Sequence, residues 1–192
     1  VAGTALSDHD LATAQSLQTV NMAIPAKSFQ MVIYPVAQQK GYMKEEGLDL
    51  RVIFIAPTTS IQAMLGGDVQ FTGAGTSALV TIARSNTPLK VVAATNDRVL
   101  QWLVTNPEIT SPKDLKGKKA GYSSPGSLTH TVLQTILRKE GLEKDVQLVR
   151  VGSPGDSWAA VKNKLVETGW HVVPAVYNLI AKKEARILFD AL

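Results

Sequence analysis

The stretch Ser60-Ile61-Gln62-Ala63-Met64-Leu65-Gly66-Gly67-Asp68-Val69-Gln70-Phe71-Thr72-Gly73 reads as a short helix, a glycine turn and a buried strand. The glycine pair stops the helix, and a second helix opens just past the strand near Thr76. The same order returns in the other half of the chain. Ser60 aligns with Ser157, Ala63 with Ala160, Val69 with Val166, and Ala78, Leu79 and Ile82 with Ala175, Val176 and Leu179. A βα unit buries its strand only inside a helix-covered sheet, so two copies far apart in one chain predict a two-lobed α/β protein.

Outward from these copies, short β-type runs alternate with helical ones from Val20 onward, the pattern of a parallel or mixed sheet flanked by helices. Strands are expected over Thr19–Ile24, Leu50–Phe54, Phe71–Gly73, Leu89–Ala94, Leu100–Thr105, Lys119–Tyr122, Gln147–Val151 and Gly169–Val173. Helices are expected over Phe29–Glu46, Ser60–Gly66, Thr76–Ser85, Ser111–Leu115, Ser127–Glu140, Ser157–Asn163 and Ala175–Lys183. Several open on Ser or Thr, whose oxygen accepts a free first-turn N–H, and Gly41, Gly47, Gly66 and Gly141 stand where helices should stop. The run Leu100–Thr105 with the break Asn106-Pro107 is the expected crossover between halves. Val1–Thr19, small and polar without a steady period, is expected to be a loosely held arm.

With 192 residues, 45% of them apolar, the chain can bury one substantial core or two small ones, which excludes disorder. The 20 basic and 16 acidic residues are interspersed, so the net charge of +4 makes no nucleic-acid footprint and attracts anions only mildly. The lack of cysteine removes disulfides, thiolate metal sites, cysteine nucleophiles and lipid attachment through an N-terminal Cys. No apolar run approaches the roughly 18 residues that span a bilayer. His9, His130 and His171 are scattered and the carboxylates unpaired, so neither a metal nor a cofactor is expected. Gly73-Ala74-Gly75 lacks the third glycine of a dinucleotide loop.

Five segments in order carry a family likeness: Val36-Ala37-Gln38-Gln39-Lys40-Gly41-Tyr42-Met43-Lys44-Glu45-Glu46-Gly47-Leu48-Asp49-Leu50, Gly67-Asp68-Val69-Gln70, Asn86-Thr87-Pro88-Leu89-Lys90-Val91-Val92-Ala93, Ile109 to Lys119, and Gly121-Tyr122-Ser123-Ser124-Pro125-Gly126-Ser127. From about Val20 to Leu192 the chain resembles the substrate-binding proteins of ABC importers in the nitrate, sulfonate, taurine and thiamine-precursor branch. The resemblance implies a type 2 periplasmic-binding-protein clamp with mixed sheets flanked by helices. It divides the chain into an arm (1–19), an incomplete lobe one (20–102), lobe two (103–186) and the start of a return crossover (187–192). Two departures stand out: Lys164 and Glu167 occupy positions where the family has Gly and Asp, and the second return to lobe one is missing, so a fragment is expected.

What the resemblance implies is a non-enzyme that captures a small anionic solute, of the sulfonate, nitrate or carboxylate class, in an interlobe cleft. Its partner would be an ABC permease in the membrane, its place periplasmic or extracytoplasmic with no signal peptide present in this chain, and its complete form a monomer. Pyrimidine-forming enzymes and ligand-sensing domains share the clamp; the former are expected to carry a cysteine-rich segment, which is absent here.

Such a clamp needs convergent donors rather than a nucleophile. Helix N-termini supply free N–H groups and roughly half a unit of positive charge. Three helix starts follow strand ends: Ser28-Phe29, Gly75-Thr76-Ser77 and Ser123 to Ser127, of which Ser123, Gly126 and Ser127 make the densest nest of donors. Asn96, Asp97 and Arg98 follow a predicted strand and are candidate anion partners, Arg98 first among them. Gly152 to Ser157 is a further helix start in which Asp156 reads equally as a cap. Trp102 and Trp170, near strand ends, could stack a ring but fit a core equally well.

Overall fold

Two separate sheets organise the molecule. The computed structural model describes residues 16–96 and 98–190; the expected arm up to residue 15, His9 and Asp97 lie outside the described residues. The first sheet holds β1 (Gln18–Ile24), β2 (Leu48–Phe54) and β3 (Phe71–Thr72) in the order β2-β1-β3, all parallel. The second holds β4 (Gln101–Thr105), β5 (Lys119–Tyr122), β6 (Gln147–Arg150), β7 (Thr168–Val172) and β8 (Arg186–Asp190) in the order β6-β5-β7-β4-β8. There β5 runs parallel to β6 and β7, whereas β4 is antiparallel to both β7 and β8. Residues 187–190, expected to begin a crossover, thus lie in an edge strand of the second sheet.

Each sheet buries its own core. Val20, Met22, Ile24 and Leu50 pack with Met31, Tyr34 and Met43 on the first. On one face of the second, Leu103, Leu115, Ala120, Leu133, Ile136 and Leu137 form the larger cluster, and Trp102, Val104 and Val176 fill the other face. Two buried hydroxyls lock β4 to β7: Thr105 Oγ1 donates to the Glu167 carbonyl at 2.6 Å and Thr168 Oγ1 to the Val104 carbonyl at 2.7 Å.

The duplicated unit recurs in three dimensions. Helix α3 (Pro57–Gly66) precedes β3, helix α6 (Pro154–Lys162) precedes β7, and both begin with proline where no N–H is needed. Ser60 and Ser157 are wholly buried, and each ties its helix to the strand that follows. Ser60 Oγ meets Thr72 Oγ1 at 2.9 Å, and Ser157 Oγ accepts the Trp170 N–H at 2.9 Å. Val69 and Val166 are equally buried at the matching strand entries.

Two expected elements differ. The helix over Phe29–Glu46 is divided into a 3-10 turn (Phe29–Met31), α1 (Ile33–Lys40) and α2 (Tyr42–Glu45). Pro35 has no N–H to return to the Met31 carbonyl, and Gly41 at φ 80° ends α1 in a left-handed cap. Leu89–Ala94 is not a strand: its backbone is unpaired among the described residues, and Val91 and Val92 are exposed. In the second sheet, β8 reaches its place only because β4 stands between it and β7; no strand stands at that place beside β3, and β-propensity without a neighbour makes no sheet.

The departure at Lys164 has a backbone consequence. Lys164 sits at φ 56°, in the left-handed region that glycine enters without steric cost. Lys164→Gly is therefore expected to raise stability by about 0.5–1 kcal/mol, measured by urea denaturation; a loss would show the turn relaxed around the lysine.

Glycine is required at Gly169 for another reason. A Cβ there would collide with Ser157 Oγ and lie 3.1 Å from the Ser157 carbonyl, where β7 meets α6. Gly169→Ala is expected to cost about 1–3 kcal/mol by overpacking. Gly155→Ala, exposed within α6 and with only Ser153 Oγ at 3.9 Å, is the control in the same denaturation series and should raise stability by about 0.5–1 kcal/mol.

Candidate functional site

Between the two sheets lies a cleft of about 670 Å³. Its wall on the first sheet's side includes Thr72, Gly73 and the start of α4 (Gly75–Arg84); the second sheet contributes Gln101, Ser123, Ser124 and Trp170. Each wall begins at strand ends, where parallel strands hand over to helices.

Helix α4 starts without a side-chain cap, because its N-cap is Ala74. The Ala74 N–H is taken by Thr72 Oγ1 at 3.1 Å, but the amides of Gly75, Thr76 and Ser77 have no intrahelical acceptor. They open on the cleft, which all three residues line. Gly73 carries no Cβ because Met31 Sδ would lie 2.8 Å from one, so the thioether packs directly on this turn.

The facing turn, Ser123 to Ser127, leads into α5 (Leu128–Lys139) and is bonded inwardly. Ser127 caps α5 by accepting the His130 N–H at 3.3 Å. Ser123 Oγ donates to Ser127 Oγ at 2.8 Å, and Thr129 Oγ1 lies 2.8 Å from the one and 2.9 Å from the other. The Ser123 N–H goes to Thr129 Oγ1 and the Gly126 N–H to His130 Nδ1 at 3.1 Å. Part of the expected nest of donors is therefore spent on itself; the amides of Leu128 and Thr129, first in the helix, are the ones without intrahelical acceptors.

Across the cleft mouth, Thr58 Oγ1 donates to the Pro125 carbonyl and Ser77 Oγ to the Gly126 carbonyl, both at 3.4 Å. A third bond between the two halves runs from the Phe29 N–H to the Val173 carbonyl at 3.3 Å. These contacts place the expected residues. Gly75, Thr76, Ser77, Asn96, Arg98, Ser123 and Ser127 come together around the cleft. Ser28, Phe29 and Gly126 are not among its lining residues: the Phe29 ring is exposed, and Gly126, at φ 72°, turns its carbonyl to Ser77.

The only charged residues lining the cleft, among those described, are Arg98 and Arg150, both exposed at its edge. Arg150 was not legible beforehand, since the end of a strand gives no sign of which way its side chain faces. Gln101, at the start of β4, was missed for the same reason, and Gln30 because a single 3-10 turn has no period that marks its inner face. Asp156 is a cap: its carboxylate accepts the Ser153 hydroxyl at 2.6 Å and the Ser153 N–H at 3.2 Å, which holds its pKa below the usual range. Trp102 belongs to the core beside Val104 and Val176, with the Tyr177 ring 6.1 Å away, whereas Trp170 lines the cleft.

His130 stacks on Tyr122 with ring centroids 4.5 Å apart, and burial lowers its pKa. As the imidazole must be unprotonated to accept the Gly126 N–H, protonation breaks the turn. With a folded pKa below the unfolded value of about 6.5, the unfolded chain takes up the proton first; the contribution is complete above that pH and declines below it. His171 is also buried and lowered, chiefly by desolvation. A proton NMR titration should find His130 below about 6.5, with the Gly126 amide moving in step; a value above 6.5 would contradict the buried acceptor.

The comparisons with known proteins bear on this arrangement. A family model described as NMT1/THI5 like matches residues 28–190. A solved protein of Bordetella bronchiseptica RB50 superposes with a TM-score of 0.78 at 26% identity, covering 91% of this chain and 57% of its own. The alkanesulfonate-binding protein SsuA of Xanthomonas axonopodis pv. citri, solved with MOPS, gives 0.72 at 19% identity, covering 93% and 62%. A Candida albicans gene product with the generic periplasmic binding protein fold gives 0.74 at 19%, covering 90% and 59%. The chain thus spans about three fifths of these structures' lengths. A search of curated proteins finds no significant match. The likenesses confirm the expected fold class, a mixed α/β protein with two helix-flanked sheets and the periplasmic binding protein architecture.

Proposed function

Because the chain belongs to the NMT1/THI5-like family, we propose that it captures a small anionic solute in the cleft between its sheets and delivers it to a membrane permease of an ABC importer. One observation carries this reading: the uncapped start of α4 and the start of α5 face one cleft from different sheets, and the charged residues lining it are two arginines with no carboxylate among the described residues. Each helix start offers unpaired N–H groups and the positive end of a dipole, so an oxyanion between them is held by backbone from both sides. Gly75, Thr76, Ser77, Ser123, Ser127, Asn96 and Arg98 make up the contact set, with Arg150 added. Phe29 and Gly126 brace the two halves instead, and Ser28 stays outside the lining.

The structure most similar in name to such a role binds an alkanesulfonate, which puts sulfonates first among the sulfonate, nitrate and carboxylate classes. Capture needs no chemistry on the solute, so the reading is of a carrier and not an enzyme. The bonds from Thr58 and Ser77 to the turn at Pro125 and Gly126 are long at 3.4 Å, as befits contacts that break when one half swings from the other. Such a carrier works outside the cytoplasm, where its permease collects it.

Thermal denaturation with methanesulfonate, nitrate, acetate and a neutral pyrimidine checks the class: anions should raise the melting temperature, and shifts with the pyrimidine alone would overturn it. Within the site, Thr76→Ala should weaken the best anion by about 1–2 kcal/mol, measured by calorimetry. Ser127→Ala should instead lower stability by about 0.5–2 kcal/mol, since its hydroxyl caps α5. Equal effects of both on affinity would show that the Ser127 hydroxyl bonds the anion as well as capping α5.

A further inference from the structure

Among the described residues, three buried side-chain polar atoms have no hydrogen-bond partner: Gln101 Oε1, Ser124 Oγ and Trp170 Nε1. All three residues line the one cleft. A buried donor or acceptor left unpaired is costly, so three in the same wall are a deficit that a bound molecule would relieve. Their grouping follows from register. In the antiparallel pair of β4 with β7, Gln101 lies opposite Val172 and Leu103 opposite Trp170, which makes Gln101 and Trp170 diagonal neighbours on one face. Ser124 follows the end of β5, the other neighbour of β7.

The chemistry of the trio differs from that of the helix starts. An indole N–H only donates, a serine hydroxyl donates and accepts, and a carboxamide offers an acceptor at one end and donors at the other. None carries charge, and Trp170 and Ser124 are 6% and 3% exposed. An oxyanion, which only accepts, would leave the Gln101 oxygen unmatched. A neutral group that both accepts and donates satisfies all three.

We propose that Trp170, Ser124 and Gln101 form a specificity subsite that reads an uncharged hydrogen-bonding group of the solute, of the carboxamide type, while the helix starts hold its acid end. The inference rests on the anion-capture reading above. It makes the solute two-ended: an acid group toward Thr76 and Ser77, and an amide-like group against the wall of the second sheet. Trp170 and Ser124 then select against solutes that carry the acid alone, because such a solute seals the wall without pairing it.

Three carboxylates of matched shape separate the contributions: succinamate, levulinate, which lacks the donor, and 4-methylpentanoate, which lacks donor and carbonyl. The three corresponding sulfonates form a second series. Calorimetry on the full chain should rank the amide first in whichever series binds, about tenfold tighter than the branched alkyl member. Ser124→Ala and Trp170→Phe should each shrink that preference. The indole N–H resonance of Trp170, assigned by its loss in Trp170→Phe, should move on adding the amide and not the alkyl member. Equal affinities across head groups, or a Trp170 resonance that stays still, overturn the subsite and leave anion capture standing. Failure of every acid in both series overturns anion capture itself, and the subsite with it.

Discussion

Three hydroxyls, those of Ser123, Ser127 and Thr129, all on buried residues, share hydrogen bonds of 2.8 to 2.9 Å within the turn. Two of the three hydrogen bonds described between the halves depend on that triangle. It caps α5 through Ser127, anchors the end of β5 through the Ser123 amide, and with His130 holds Gly126 in its left-handed turn. Only with the turn so fixed do the Pro125 and Gly126 carbonyls face Thr58 and Ser77 of the other half. A polar cluster satisfied within itself is rigid, and rigidity here sets the width of the cleft.

Such self-satisfaction also sorts the groups that remain. Donors used inside the turn are unavailable to a solute, so the sites of attraction move to the amides with no intrahelical partner and to the wall beside Trp170. On the proposed reading, the two arginines at the cleft edge would raise the local concentration of anions, and neutral donors deeper in would decide which anion stays. A site built on backbone amides avoids the desolvation cost of burying a lysine or arginine side chain.

Much of the architecture could be read from residues alone. The duplicated helix–strand unit is visible because Ser60 and Ser157 do the same work in the two halves, tying a helix to the next strand. Leu89–Ala94 misled because β-branched composition reports a preference, and a strand also needs a neighbour. The helix start at Ser127 was legible from capping chemistry, and the one near Thr76 from strand order, since α4 begins at Gly75 without a side-chain cap. Gln101, Ser124 and Arg150 were harder, since unpaired polar atoms and cleft-facing strand ends are properties of three-dimensional packing. The glycine and hydroxyls of Ser123 to Ser127 were read as a nest of donors, whereas His130 and Thr129 turn part of it inward.

Backbone amide spectra of the uniformly labelled protein, followed while a sulfonate is added, test most directly whether both halves grip one solute. The amides of Thr76 and Ser77 from one half and of Leu128 and Thr129 from the other should shift together and saturate at one common concentration. Shifts confined to a single half, or two halves saturating at different concentrations, would contradict a shared cleft.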